Sequence, residues 1–188
     1  APVAHARNPH CAGGIQYVVQ GMRDKDKGNI EDYQRQIGKA IQQLETCASE
    51  DPADFEAIAY LGWAYAEAES SCLAGVTFEK AIQGLETKDK KKAEWAKTNR
   101  ESYWATAFNS GITKFNEARD SYPEYTKSPD NEADKTLKEE SRKKTDEALR
   151  SLGRASCLKT GDSKTLRSLG SIYAYRGQWE ESEKYFSD

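Results

Sequence analysis

One spacing recurs along the chain and constrains its fold more than any local pattern. Ala40, Ala74, Ala148 and Ser182 stand 34, 74 and 34 positions apart. Leu44, Phe78, Leu152 and Phe186 repeat those intervals, and Cys47, Ala81 and Ala155 follow the first two of them. A second pattern agrees: Leu61-Gly62-x-x-Tyr65 returns as Leu169-Gly170-x-x-Tyr173, displaced by 108. Generic amphipathic helices share a 3.6-residue period, but not a register held across the chain. The chain therefore reads as copies of one helical hairpin, with Ile58 to Ala81 as the least distorted copy.

The local signals fit that reading. Tyr33, Ile37, Ala40, Ile41, Leu44 and Cys47 lie at threes and fours and predict a helix over 30–47, which Pro52 prevents from continuing. Helices are predicted over 55–67 and 71–85, then over 93–121 with a kink at Ser110-Gly111. A loop with Pro123 and Pro129 precedes helices over 132–158, 163–176 and 179–188. Residues 14–24 read as a short helix, with a strand as the alternative because of Val18-Val19. The Lys-rich link 86–92 reads as a solvated turn, the alternative being contact with a phosphate or an acidic partner.

Composition narrows the function classes. Hydrophobic residues make up 37% and charged ones 31%, which suits helices with wide solvated faces. Lys and Arg (28) nearly balance Asp and Glu (31), so no global field recruits nucleic acid or an anionic membrane surface. No apolar run reaches the ~20 residues of a membrane span. Neither a nucleophile motif nor a Gly-rich phosphate loop is present, so no enzyme activity and no cofactor are expected. The chain lacks an initiator Met and stops inside a helical pattern, and reads as a fragment or processed form of something longer. Ala4-His5-Ala6 matches the tripeptide before a signal-peptidase cut, which would imply export to the periplasm or beyond; a loose start is the competing reading.

A 34-residue period with these residues resembles the tetratricopeptide repeat family. Gly62 and Gly170 match its small site in the first helix of a unit, and Ala74, Ala148 and Ser182 the small site in the second. Phe78 and Phe186 match its aromatic, Ala81 and Ala155 the following Ala, and Pro52 its terminal proline. The resemblance implies an all-α fold, a right-handed superhelix of antiparallel helical hairpins. Its units would be 14–52, 53–88, 89–160 and a truncated 161–188, after a flexible segment 1–13. Two units depart from the pattern. In the first, Gly28 falls at the small site, but Lys27 and Glu31 stand where Leu and Tyr belong, so its first helix is read as 14–24, with extra residues before the second. The third is 40 residues too long, and Trp104-Ala105-x-x-Phe108 aligns its first helix best.

The resemblance also implies where ligands bind: the concave groove, on inward positions of each first helix. These are Glu56, Ala59, Trp63, Ala66 and Glu67, then Asn99, Ser102, Thr106 and Asn109, then Lys164, Arg167, Ser171, Ala174 and Tyr175. Asn109, Lys164 and Arg167 suit a peptide backbone or carboxylate. Trp63 and Tyr175 suit an apolar side chain, unless Trp63 packs on the long helix near Ala93. Trp63 occupies a position where the chaperone-binding members' clamp wants Asn, which argues against that ligand.

In an antiparallel hairpin the start of one helix lies near the end of the other. That geometry allows a Cys11–Cys47 disulfide, which would fit export; a buried thiol at Cys47 is the alternative. Cys72 starts one second helix and Cys157 ends another, so both are expected to stay free. His5, His10 and Cys11 lack telling ligand spacing, and no metal site is expected. The sequence thus points to a non-catalytic adaptor that binds a protein or peptide. The alternatives are a self-assembling module, joined through its truncated C-terminal end, and an accessory domain of a larger enzyme or secretion machine.

Overall fold

The computed structural model describes residues 6–186. Among them lie eight α-helices and no strand. The chain divides into two compact units, Ala1–Glu101 and Ser102–Asp188.

Unit 1 opens with α1 (Pro9–Asp26) and α2 (Ile30–Glu50), then α3 (Phe55–Glu67) and α4 (Ser71–Glu86). Helix α1 starts five residues earlier than expected, so 9–13 is helical and not a flexible lead. The reason is local: Pro9 has a φ suited to the first turn, and Asn8 Oδ1 accepts the N–H of His10 at 2.8 Å. Ala4 and His5 lie outside the described residues. The α2 stripe Ile37, Ala40, Leu44 and Cys47 is buried as its periodicity predicts. Asp54 caps α3, its Oδ1 accepting the N–H of Ala57 at 3.0 Å. Helices α1 and α2 form one antiparallel hairpin and α3 and α4 the next; α3 packs on both α1 and α2.

Helix α5 (Lys90–Ser121) begins in the Lys-rich link, three residues before its predicted start. Asp89 Oδ1 accepts the N–H groups of Lys91 and Lys92, each at 3.1 Å, and so caps a turn that composition alone marked as loop. Its first part belongs to unit 1 and the rest to unit 2, with α6 (Glu132–Leu158), α7 (Ser163–Tyr175) and α8 (Trp179–Glu183). Helix α8 is shorter than the predicted 179–188, giving way to turns at 184–186.

The hairpins close where a glycine of the first helix meets a large side chain of the second. An added Cβ would lie 2.5 Å from Leu44 Cγ at Gly14, 3.0 Å from Phe78 Cγ at Gly62, 2.6 Å from Leu152 Cγ at Gly111 and 2.7 Å from Phe186 Cε2 at Gly170. The small site of the first unit is Gly14, while Gly28, at the register the sequence already found ill-fitting, sits in the α1–α2 turn at φ 78°. In the third it is Gly111, not Ala105, and Gly111 lies within a continuous α5. The Trp104–Phe108 spacing imitates the motif, but the residue that must be small is the one facing Leu152.

Candidate functional site

The expected groove residues divide between the two units. In unit 1 most are absorbed by internal contacts. Glu56 pairs with Lys92 at 2.9 Å and with Arg7 at 3.2 Å. Arg7 in turn grips Asp54 with two bonds of 2.7 Å. Burial alone would raise the Asp54 carboxyl; the Arg7 guanidinium and the Ala57 N–H together hold it below the usual carboxylate range. Ala59 is buried, Ala66 half-buried, and Asn99 donates to the Trp95 carbonyl at 2.9 Å. Trp63 packs on α5: its ring lies 5.9 Å from Trp95 and 5.8 Å from Tyr60, and Tyr60 and Trp95 are 4.8 Å apart. The packing alternative for Trp63 is the one realised.

Glu67 is only 3% exposed at its side chain. Lys25 Nζ and the Tyr33 hydroxyl each donate to its Oε2 at 2.6 Å. Burial, and next the bond to Glu67, push the Tyr33 phenol above its ordinary value. Sequence reasoning missed Arg7, Lys25 and Tyr33, because their partners lie 34 to 47 residues away. For Arg7 and Lys25 the signal that could have found them was the opposite charge at matching helix ends; the neutral Tyr33 gave none.

In unit 2 the arrangement is more open. Trp104 Nε1 donates to Thr165 Oγ1 at 3.0 Å, and the Phe115 ring meets Tyr175 at 5.6 Å. These contacts run in the same chain direction, so α5 from Ser102 onward and α7 lie parallel, as successive first helices of stacked hairpins do. Ser102, Thr106 and Asn109 on α5 are exposed, as are Lys164 and Arg167 on α7. Ser171 donates to the Arg167 carbonyl at 2.9 Å, and Ala174 is half-buried. Tyr175 is occupied by the long insertion. Its hydroxyl contacts the Tyr122 carbonyl, the Ala118 carbonyl at 3.3 Å and Ser141 Oγ at 2.8 Å, and its ring lies 5.2 Å from Tyr125. Lys138 holds this loop, donating to the Lys127 carbonyl at 2.9 Å with its ammonium 5.2 Å over the Tyr125 ring.

Cys11 and Cys47 form a disulfide with Cα atoms 4.9 Å apart. Cys72 and Cys157 are disulfide-bonded as well, which corrects the expectation that they stay free. The end-to-end rule places helix ends only within one hairpin and so excludes no bond for either cysteine. Cys11, Cys47 and Asp54 bring three donor atoms within 4.8 Å of one another. They do not fit a metal: the sulfurs are bonded to each other and Asp54 is held by Arg7. His10 Nδ1 shares a hydrogen bond of 2.8 Å with Gln43, and His5 lies outside the described residues. Among the described residues no helix is long and apolar enough to cross a membrane.

No family model and no curated protein matches the chain. Among solved structures, a crystal structure of MamA aligns over 89% of this chain and 90% of that one, at 18% identity and a TM-score of 0.25. At that TM-score the likeness carries no argument; the all-helical hairpin architecture follows from the helices and their packing.

Proposed function

We propose that the chain is a non-catalytic scaffold of the tetratricopeptide type that binds a carboxylate-bearing segment of a partner protein on the α5–α7 face of unit 2. The observation that carries this reading is the parallel seating of α5 and α7. It leaves Thr106 and Asn109 exposed on one helix and Lys164 and Arg167 exposed on the other. An amide and a hydroxyl suit a peptide backbone, and an ammonium and a guanidinium suit carboxylates. The bonded cysteines support a place of action in an oxidising compartment, and hence export.

The test is capture of partners by the immobilised chain from its source, followed by mass spectrometry, beside a Lys164→Glu, Arg167→Glu double variant. Both side chains are exposed, so the variant should keep its melting temperature and lose the partner. Equal capture by the two proteins would refute the reading. A second reading, self-association, is favoured by the exposure of Trp179 (62%) and Phe186 (52%) at the last hairpin. Light scattering that gives a monomer at every concentration would exclude it.

A further inference from the structure

The insertion of the third hairpin lays a stretch of irregular chain, residues 122–131, across the end of α7. Tyr122 and Tyr125 are half-buried, while Pro123, Glu124, Thr126, Lys127 and Ser128 are exposed. That is the burial pattern of a short segment lying on a surface by two anchors. The Tyr175 hydroxyl donates to the Tyr122 carbonyl, as it could to the backbone of a bound peptide. The Tyr175 ring lies 5.2 Å from that of Tyr125 and 5.6 Å from that of the buried Phe115. Tyr125 thus fills an aromatic seat that Tyr175 and Phe115 form where α5 and α7 meet.

The fastening of this segment suits release. Lys138 of α6 donates to the Lys127 carbonyl at 2.9 Å, with its ammonium 5.2 Å and 5.8 Å from the Tyr125 and Tyr122 rings. A cation over aromatic faces at a partly exposed site is a weak tie. The bonds from the Tyr122 hydroxyl to the Lys127 carbonyl (3.3 Å) and from the Lys127 N–H to the Glu124 carbonyl (2.9 Å) lie within the segment and can travel with it. Arg167, Ser171 and Tyr175 stand four apart on α7 and share one stripe. The seat therefore continues the face on which Lys164 and Arg167 are exposed.

We propose, resting on the carboxylate-binding reading of the α5–α7 face, that Tyr125 is a tethered occupant of this seat, displaced by an aromatic side chain of the partner segment whose carboxylate pairs with Lys164 or Arg167. From Arg167 to Tyr175 the helix rises about 12 Å, which an extended segment spans in about four residues. An even spacing points both anchors to one side of that segment. The partner thus carries Asp or Glu and Phe or Tyr about four residues apart. Its apparent affinity is lowered by the fraction of time that Tyr125 holds the seat.

The probes are two blocked heptapeptides of Ser and Ala carrying Glu and Phe four apart, one in each chain order, titrated into the full chain. Tyr125→Ala should bind one of them roughly tenfold tighter than the wild type does. A purely structural role for Tyr125 would loosen the face and weaken binding instead. Lys138→Gln, which frees the segment without touching the seat, should also tighten binding. Saturating peptide should quicken tryptic cleavage of the wild type after Lys127, because the lifted segment is easier to cut. Equal or weaker binding by both variants overturns the proposal, as does equal binding of a peptide with Ala for Phe. If Lys164→Glu, Arg167→Glu abolishes binding while Tyr125→Ala and Lys138→Gln bring no gain, the carboxylate reading stands and this proposal alone falls. If neither peptide binds any of these proteins at millimolar concentration, both fall.

Discussion

Gly62 lies face to face with Phe78: a Cβ at position 62 would come within 3.0, 3.1 and 3.2 Å of three ring carbons. The Phe78 ring is fully buried and has nowhere to move. Gly62→Ala should therefore cost about 1–3 kcal/mol by overpacking, even though alanine favours the helix. At the matching contact, Phe186 is half exposed and can swing aside, so Gly170→Ala should cost less. Urea unfolding of the two variants measures the difference, and equal losses would contradict the role assigned to a confined ring.

The Cys11–Cys47 bond closes a separation of 36 residues and ties the start of α1 to the end of α2. In the chain-entropy model a loop of that length stabilises by about 4 kcal/mol. Replacing both cysteines with serine should lower stability by up to that amount. Before reduction, the unfolded wild-type chain should show no thiol reactive to a thiol reagent, because none of its cysteines is free.

Stability should fall off at both ends of the pH scale, for different reasons. The Asp54 carboxyl is held below its ordinary value in the fold. Its contribution is thus complete above the ordinary carboxylate pKa and is lost as pH drops below about 4 through the folded value. Asp54→Asn should flatten the acid limb of a stability–pH curve. Tyr33 is shifted the other way, so its contribution is complete below the ordinary phenol pKa and is lost as pH rises beyond about 10. Tyr33→Phe should flatten the alkaline limb.

Among the groove positions expected from sequence, folding and binding roles should separate by substitution. Trp63 is wedged against Trp95 and Tyr60, and Trp63→Ala should cost roughly 2 kcal/mol or more. Arg167 is exposed on α7, and Arg167→Ala should change stability by no more than about 0.5 kcal/mol while weakening partner capture. Thermal melts of the two variants, read beside capture, make that comparison.

The sequence by itself determined the helices and their pairing. Ala40, Ala74 and Ala148 are fully buried because a helix stripe of period 3.6 and a hairpin of fixed length leave no other place for them. The 34-residue spacing is legible because each copy repeats the same contact. Where the copies differ in length, spacing stops reporting contact. Gly14 and Gly111 were identified only by the side chains opposite them, Leu44 and Leu152. The candidate site was legible as a set of helix positions, but not in its outcome. Burial of Glu67 between Lys25 and Tyr33, capture of Glu56 by Arg7 and Lys92, and covering of Tyr175 by the insertion all join residues far apart in the chain. Such pairings depend on which charged ends and aromatic faces the packed helices bring together, and only the tertiary structure decides that.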